Sequence, residues 1–121
     1  YPEVKGILGT SSFDAPGTAR AIDELGLKGK VFTAGTGMPA ANAQILKDGS
    51  VSTLTLWDPA NAGYAMASLA TKILNGETIE DGVNLGVEGY ESMHFSSGST
   101  KVLEGTGWLK ITKDNVDSLG F

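Results

Sequence analysis

Val51-Ser52-Thr53-Leu54-Thr55-Leu56-Trp57-Asp58-Pro59-Ala60-Asn61-Ala62 changes its structural period once, between Trp57 and Pro59. The first seven residues are mostly β-branched, apolar or aromatic, and read as a strand. Asp58 then offers a capping carboxylate. Pro59 takes the first helical position, where a missing N–H costs nothing. Ala62, Ala65, Met66, Leu69, Ala70, Ile73 and Leu74 continue as an apolar stripe at helical spacing, and Asn75-Gly76 closes it. A strand that turns directly into a helix is one β-α unit.

Working upstream, the unit repeats twice. Lys30–Ala34 reads as a strand, Gly35-Thr36-Gly37-Met38 as a tight loop, and Pro39 as the start of a helix. That helix is expected to bury Ala41, Ile45 and Leu46 and to stop at Gly49. Before it, Val4–Leu8 reads as a buried strand and Thr10–Asp14 as a polar loop. A helix with Asp14 as its cap follows, with Ala19, Ile22 and Leu25 on one face and Gly26 at its end. The order β-α-β-α-β-α predicts an α/β fold: a parallel sheet flanked by helices and joined by right-handed crossovers.

Downstream of Gly76 the helical period is lost. Val83–Val87 and Ser92–Phe95 are strand-like, Ser96-Ser97-Gly98-Ser99 is a turn, and Gly107–Ile111 alternates as a short strand. Thr112–Leu119 reads as a brief terminal helix with Thr112 as its cap. No repeat or low-complexity linker interrupts the chain.

Composition narrows the function classes. The chain has 121 residues, 40% of them hydrophobic and 19% charged, which suits one globular domain. Its 14 acidic and 9 basic residues give a formal charge of −5. With Arg20 the only arginine and no basic run, nucleic acid is not an expected partner. There are 0 cysteines and 1 histidine, His94, so disulfides and Cys- or His-rich metal sites are excluded within the chain. No stretch has the length of a membrane span and no leader is visible. The opening Tyr1-Pro2-Glu3-Val4-Lys5-Gly6-Ile7 reads as the middle of a protein, so a truncation, a proteolytic product or one piece of a nicked molecule is expected.

In open parallel sheets, ligands bind beyond the carboxyl ends of the strands. Three loops lie there: Thr10–Asp14, Gly35–Pro39 and Trp57–Pro59. They offer hydroxyls, a glycine turn, an indole and a carboxylate. That set suits a polyhydroxylated ligand, whose hydroxyls bond to oxygens and whose C–H face packs on an aromatic ring. The same residue types also serve as caps and turns. Asp58 can cap a helix and contact a ligand at once.

A rival pattern is Gly35-Thr36-Gly37-Met38-Pro39-Ala40, a G-x-G-x-x-A stretch, with Asp58 at the end of the next strand. In that reading the chain is a dinucleotide-binding fragment of an oxidoreductase. Against it, a complete β-α unit precedes the motif, and Pro39 removes an N–H from the helix start that would hold the phosphate. No G-x-S-x-G, P-loop or H-E-x-x-H motif occurs. Neither catalysis nor a cofactor is expected.

Tyr1–Ile7, Ala15-Pro16-Gly17-Thr18-Ala19-Arg20-Ala21, Gly35–Pro39, Gly49-Ser50-Val51 and above all Leu56-Trp57-Asp58-Pro59-Ala60-Asn61-Ala62-Gly63-Tyr64 are similar to the C-terminal half of type I periplasmic binding proteins of ABC importers. The last stretch resembles the rhamnose- and autoinducer-2-binding branch, and Asn115–Phe121 resembles that branch's C-terminus. The resemblance implies one lobe of a two-lobed fold that closes on a simple sugar or sugar-like signal. It implies a C-lobe over 1–58, a helix in 59–83 that packs on the absent N-lobe, and a return hinge with terminal strands over 84–121. Hinges are implied near Trp57–Pro59 and Asn84–Phe95.

Carried over residue by residue, the ligand contacts are Ser11, Thr36, Pro39, Ala41, Trp57 and Asp58. Thr36 departs from the aspartate that many sugar binders carry there. The implied partners are the sugar, the missing N-terminal lobe and a membrane permease, with self-association of the fragment as a further outcome. The ligand-sensing lobe of a sugar-responsive repressor shares the same fold and stands as another alternative.

Overall fold

The computed structural model describes residues 1–121. Along the chain run β1 (Gly6–Gly9), α1 (Asp14–Glu24), β2 (Phe32–Thr36), α2 (Pro39–Lys47), β3 (Thr53–Trp57) and α3 (Pro59–Leu74). Then come β4 (His94–Phe95), β5 (Leu103–Glu104), β6 (Trp108–Ile111) and a single 3-10 turn at Val116–Ser118. The fold is α/β, as the alternation predicts. The chain divides into two compact units, Tyr1–Leu56 with Leu109–Phe121, and Trp57–Trp108.

The first unit is built on the sheet of order β1-β2-β3-β6. β1 and β2 are parallel with Gly9 opposite Gly35, and β2 and β3 are parallel with Gly35 opposite Leu54. β6 joins in the other sense. Thr53, at the start of β3, donates its hydroxyl to the carbonyl of Ile111, at the end of β6, over 2.9 Å. At the other end of the same strands Trp57 meets Trp108. The expected parallel sheet is therefore parallel in its first three strands only.

The core of this unit joins Ala15 and Ala19 of α1, Leu46 of α2, Leu54 and Leu56 of β3, Ile111 of β6 and Val116. β3 shows why one face is buried. Leu54 and Leu56 point inward while Thr55 and Trp57 point out, the two-residue period of a strand. Parallel sheets normally carry cover on both faces. Here the face opposite the helices leaves Leu8 83% and Phe32 54% exposed. β1 is thus not the buried strand that its composition suggests; it lies at the edge of the sheet, and Ile7 is also exposed.

Two helices differ in detail from expectation. α2 buries Pro39, Asn42 and Leu46, with Ala41 exposed. The inner face is shifted because Asn42, a polar residue, turns inward: its amide donates to the Met38 carbonyl over 2.8 Å and pins the turn before the helix. The terminal helix is only the 3-10 turn. There Asn115 does the organising, its side-chain oxygen accepting from Thr112 N at 2.8 Å and its amide donating to Lys110 O at 2.9 Å.

The second unit packs α3 against an irregular return segment. Ala65, Leu85 and Met93 form its buried centre, with Leu69, Val83, Val87, Tyr90 and Leu103 around it. Val83 pairs with Met93 in an antiparallel bridge, and β4 pairs with β5 as a short antiparallel ladder. Three close approaches here require glycine. A Cβ on Gly89 would lie 2.7 Å from the Gly107 Cα, one on Gly107 would lie 2.7 Å from the Tyr90 ring, and one on Gly105 would strike the Met93 sulfur. Much of the apolar stripe on α3 is uncovered, with Met66 69%, Ile73 56% and Leu74 87% exposed.

Candidate functional site

The carboxyl ends of β1 and β2 come together by register. A Cβ on Gly35 would stand 2.7 Å from the Gly9 carbonyl oxygen, so the strands close here only because Gly35 lacks a side chain, while one on Gly9 would strike Asp14 instead. Beyond β1, Asp14 does not cap its own helix. Its Oδ2 accepts from Thr10 N at 3.0 Å and Ser11 N at 2.9 Å, folding the loop back on the helix start. Ser11 is exposed, and its hydroxyl accepts weakly from Phe13 N at 3.3 Å. Thr36 ends β2 half-buried. Pro39 is buried and Ala41 lies on the solvent side of α2. In the first unit, Ser11 therefore lies on the loop after β1 and Thr36 at the last position of the neighbouring β2, with Pro39 and Ala41 in the first turn of the helix after Thr36.

Trp57 and Asp58 belong to the second unit. Asp58 caps α3, its Oδ1 accepting from Ala60 N at 2.7 Å and Asn61 N at 3.2 Å. Asp58→Ala is expected to lower stability by about 1 kcal/mol, and Asp58→Asn to retain most of that, in urea unfolding followed by circular dichroism. Trp57 is 43% exposed and meets Trp108 edge to face, with ring centres 5.3 Å apart and planes at 85°. Trp108, in the Gly107–Ile111 stretch that reads as a strand, is 57% exposed.

His94, the single histidine, sits in an exposed chain of hydrogen bonds. Its Nδ1 lies 3.0 Å from Asp81 Oδ2 and its Nε2 lies 3.1 Å from Ser92 Oγ. Asp81 Oδ1 also accepts from Phe95 N at 2.7 Å. This has the order of a serine–histidine–aspartate relay, but all three side chains are exposed and none lines the cavities described below. Its work is to tie Asp81 to the start of β4. The hydrogen bond from His94, then that from Phe95, holds the Asp81 carboxyl below the usual carboxylate range. A carboxylate with a depressed folded-state pKa contributes stability above its unfolded pKa and loses it as pH falls through the folded one. Urea midpoints measured as pH falls below about 4 should therefore drop more steeply for the parent chain than for Asp81→Asn.

The glycine-rich turn does not hold a phosphate. Pro39 has no N–H, and the next helical amide, Ala40 N, donates to the Phe121 carbonyl at 3.2 Å. The space over Gly37 is filled as well, since a Cβ there would lie 3.1 Å from both the Asn42 amide and a Leu54 methyl. The glycines of the G-x-G-x-x-A stretch serve chain packing, and the dinucleotide reading loses its anion site.

Each unit contains an apolar cavity. One of about 480 Å³ lies between β1 and α1, lined by Val4, Ile7, Ile22, Leu25 and Val31 among others. The other, of about 270 Å³, lies beside α3 against Met66, Leu85, Tyr90 and Met93. Neither is lined by any of the six candidate contacts, and both are apolar. They are gaps in cover over the sheet edge and over α3, and they lack the convergent polar groups of a sugar site. No cluster of acidic or histidine side chains is arranged to hold a metal ion.

A sheet with three parallel strands, crossover helices and short polar loops at its carboxyl edge defines a binding fold of the open α/β class. Residues 1–78 match the periplasmic binding protein domain, and the chain belongs to that family. Its members are binding proteins and not enzymes.

Solved structures agree over nearly the whole chain. A sugar ABC transporter protein from Actinomyces odontolyticus is 28% identical with a TM-score of 0.77, over 100% of this chain and 38% of its own. LsrB from Clostridium saccharobutylicum, in complex with AI-2, is 21% identical with a TM-score of 0.71, over 99% and 41%. GanP, a glucose-galactose binding protein from Geobacillus stearothermophilus, is 19% identical with a TM-score of 0.69, over 95% and 34%. The chain thus spans well under half the length of these proteins. No curated protein sequence matches it significantly. No helix is long and apolar enough to cross a membrane.

Proposed function

We propose that the chain is the later portion of a periplasmic solute-binding protein that delivers a simple sugar or sugar-like signal to an ABC importer. The rhamnose- and autoinducer-2-binding branch is the one its sequence resembles. The observation that carries this reading is the 28% identity over 100% of the chain to a sugar ABC transporter protein. The exposed outer face of the sheet and the uncovered stripe of α3 support it too. Both are surfaces that a longer protein would bury, and the relatives are longer. In this reading residues 1–58 belong to the C-lobe, 59–83 carry the helix that meets the N-lobe, and 84–121 return through a hinge to the terminal strands.

Ser11, Thr36, Pro39, Ala41, Trp57 and Asp58 are the proposed ligand contacts. Ser11 and Thr36 supply hydroxyls, and Asp58 supplies the carboxylate oxygen not used in capping α3. Trp57 supplies an aromatic surface. The partners are the sugar, the N-terminal lobe and the membrane permease.

A thermal-shift series with rhamnose, ribose, galactose, fucose and autoinducer-2 tests this. A ligand that binds only the folded chain raises its midpoint by mass action. With one lobe absent the affinity is weak, so the expected result is a shift only at high sugar concentration, lost in Ser11→Ala with Thr36→Val. A flat response to every sugar, with a shift from NAD, would overturn the reading.

A further inference from the structure

We infer that Phe121 is a positioning residue for the proposed ligand site, holding the first turn of α2 through its main-chain oxygen. This rests on the sugar-binding reading proposed above. A helix start leaves backbone N–H groups without a partner inside the helix, and a side chain normally takes one of them. Asp58 does so for α3. In α2 the N-cap is Met38, and no side chain makes a capping bond. Pro39 has no N–H to satisfy. The next amide, Ala40 N, is met from the far end of the sequence, by Phe121 O at 3.2 Å.

This substitute cap is the end of a strap. Val116 is buried in the core of the first unit, and Leu119 and Phe121 pack against that core. Lys47, in the last turn of α2, pairs with Asp117 at 2.6 Å. The strap therefore runs antiparallel to α2, fastened at Lys47 and again at Ala40. The lengths agree. An extended chain covers up to about 13 Å from Asp117 to Phe121, and a helix covers about 10 Å from Lys47 to Ala40. Asn42 holds the same turn from within, donating to Met38 O at 2.8 Å. That turn carries Pro39 and Ala41 and follows Thr36, three of the proposed contacts. A binding constellation needs its members held to within roughly 0.5 Å. Phe121 thus acts on the ligand through α2, without touching it.

The experiment compares the 121-residue chain with one that ends at Leu119, by amide exchange and by nitrogen–proton correlation spectra. Rhamnose, ribose and galactose are titrated in turn, to roughly tens of millimolar. In the shortened chain the Ala40 amide should exchange about five- to tenfold faster, the loss of one cap. Ala60 N, which Asp58 caps in the second unit, is the control and should keep its rate. Sugar binding should weaken about fivefold, with the Ala41 shift lost and the Ser11 shift kept. Phe121→Leu keeps the main-chain oxygen and an apolar anchor, and should behave as the parent does. If the shortened chain does not fold, Phe121→Gly, which removes only the anchoring ring, is read in the same way. If Ala40 keeps its parental rate, or the sugar binds with parental affinity, the positioning role is overturned and the sugar-binding proposal stands. If no sugar moves an amide of the parent chain, that proposal falls and this role falls with it.

Discussion

Replacing Gly35 by alanine is expected to destabilise the first unit by roughly 2–4 kcal/mol, enough to unfold a marginal domain near body temperature. The new methyl carbon would stand 2.7 Å from the carbonyl oxygen of Gly9. The obstacle is backbone, not the tip of a flexible side chain, so β1 and β2 must part where their register is tightest. Parting them also disturbs the hydrogen bond of the buried Thr33 hydroxyl to the Ile7 carbonyl, 3.1 Å long. Urea unfolding by circular dichroism and by amide exchange of Gly6–Gly9 checks it. Gly17→Ala makes a control, because that glycine has open space where the methyl would go and sits in a helix. It should be neutral or mildly stabilising.

The second large effect is at Leu54. Its side chain is 0% exposed and central to the core of the first unit. Leu54→Ala should cost about 3 kcal/mol, through lost burial and the cavity left between the sheet and the helices. This site also couples to Gly37, whose added methyl would sit 3.1 Å from a Leu54 methyl. Gly37→Ala alone is expected to destabilise by forcing Leu54 aside. In the Leu54→Ala background the same methyl fills part of the cavity, so its cost should vanish or reverse. A double-mutant cycle in urea measures that coupling, and strict additivity would refute the packing described here.

Much of this architecture was legible in the sequence because its punctuation is local. Asp58-Pro59 marks a helix start by capping chemistry, and Gly26, Gly49 and Gly76 adopt the left-handed conformation that ends helices and turns. What was not legible depends on neighbours. Val4–Leu8 reads as buried because its residues are apolar, but burial is conferred by what lies beside the strand, and β1 is at the edge. The inward turn of Asn42 is set by a hydrogen bond to Met38 O, which periodicity does not register. The sense of β6 depends on which strand it joins after the second unit, a long-range choice invisible to any window of residues. Asp14 was legible as an N-terminal acid, though it bonds outward to the preceding loop. The carboxyl-end loops were legible by position, whereas the proposed contacts Ser11, Thr36, Trp57 and Asp58 are what the family resemblance implies for those loops and strand ends.

The division of the chain has a consequence for how the protein acquires its structure. The first unit is not contiguous: Leu109–Phe121 returns to it after the whole of Trp57–Trp108. Ile111, 0% exposed, and Val116, 2% exposed, are both in that returning piece. A ribosome making the chain in order thus releases β1 to β3 with their core open along one edge, and that edge stays open until the second unit has been synthesised. Closing it afterwards demands a loop-closure entropy that grows only slowly with loop length, so the delay is one of timing more than of stability. During that interval β3 is a bare edge ending in Trp57, which is when the nascent protein is most exposed to pairing with the wrong strand.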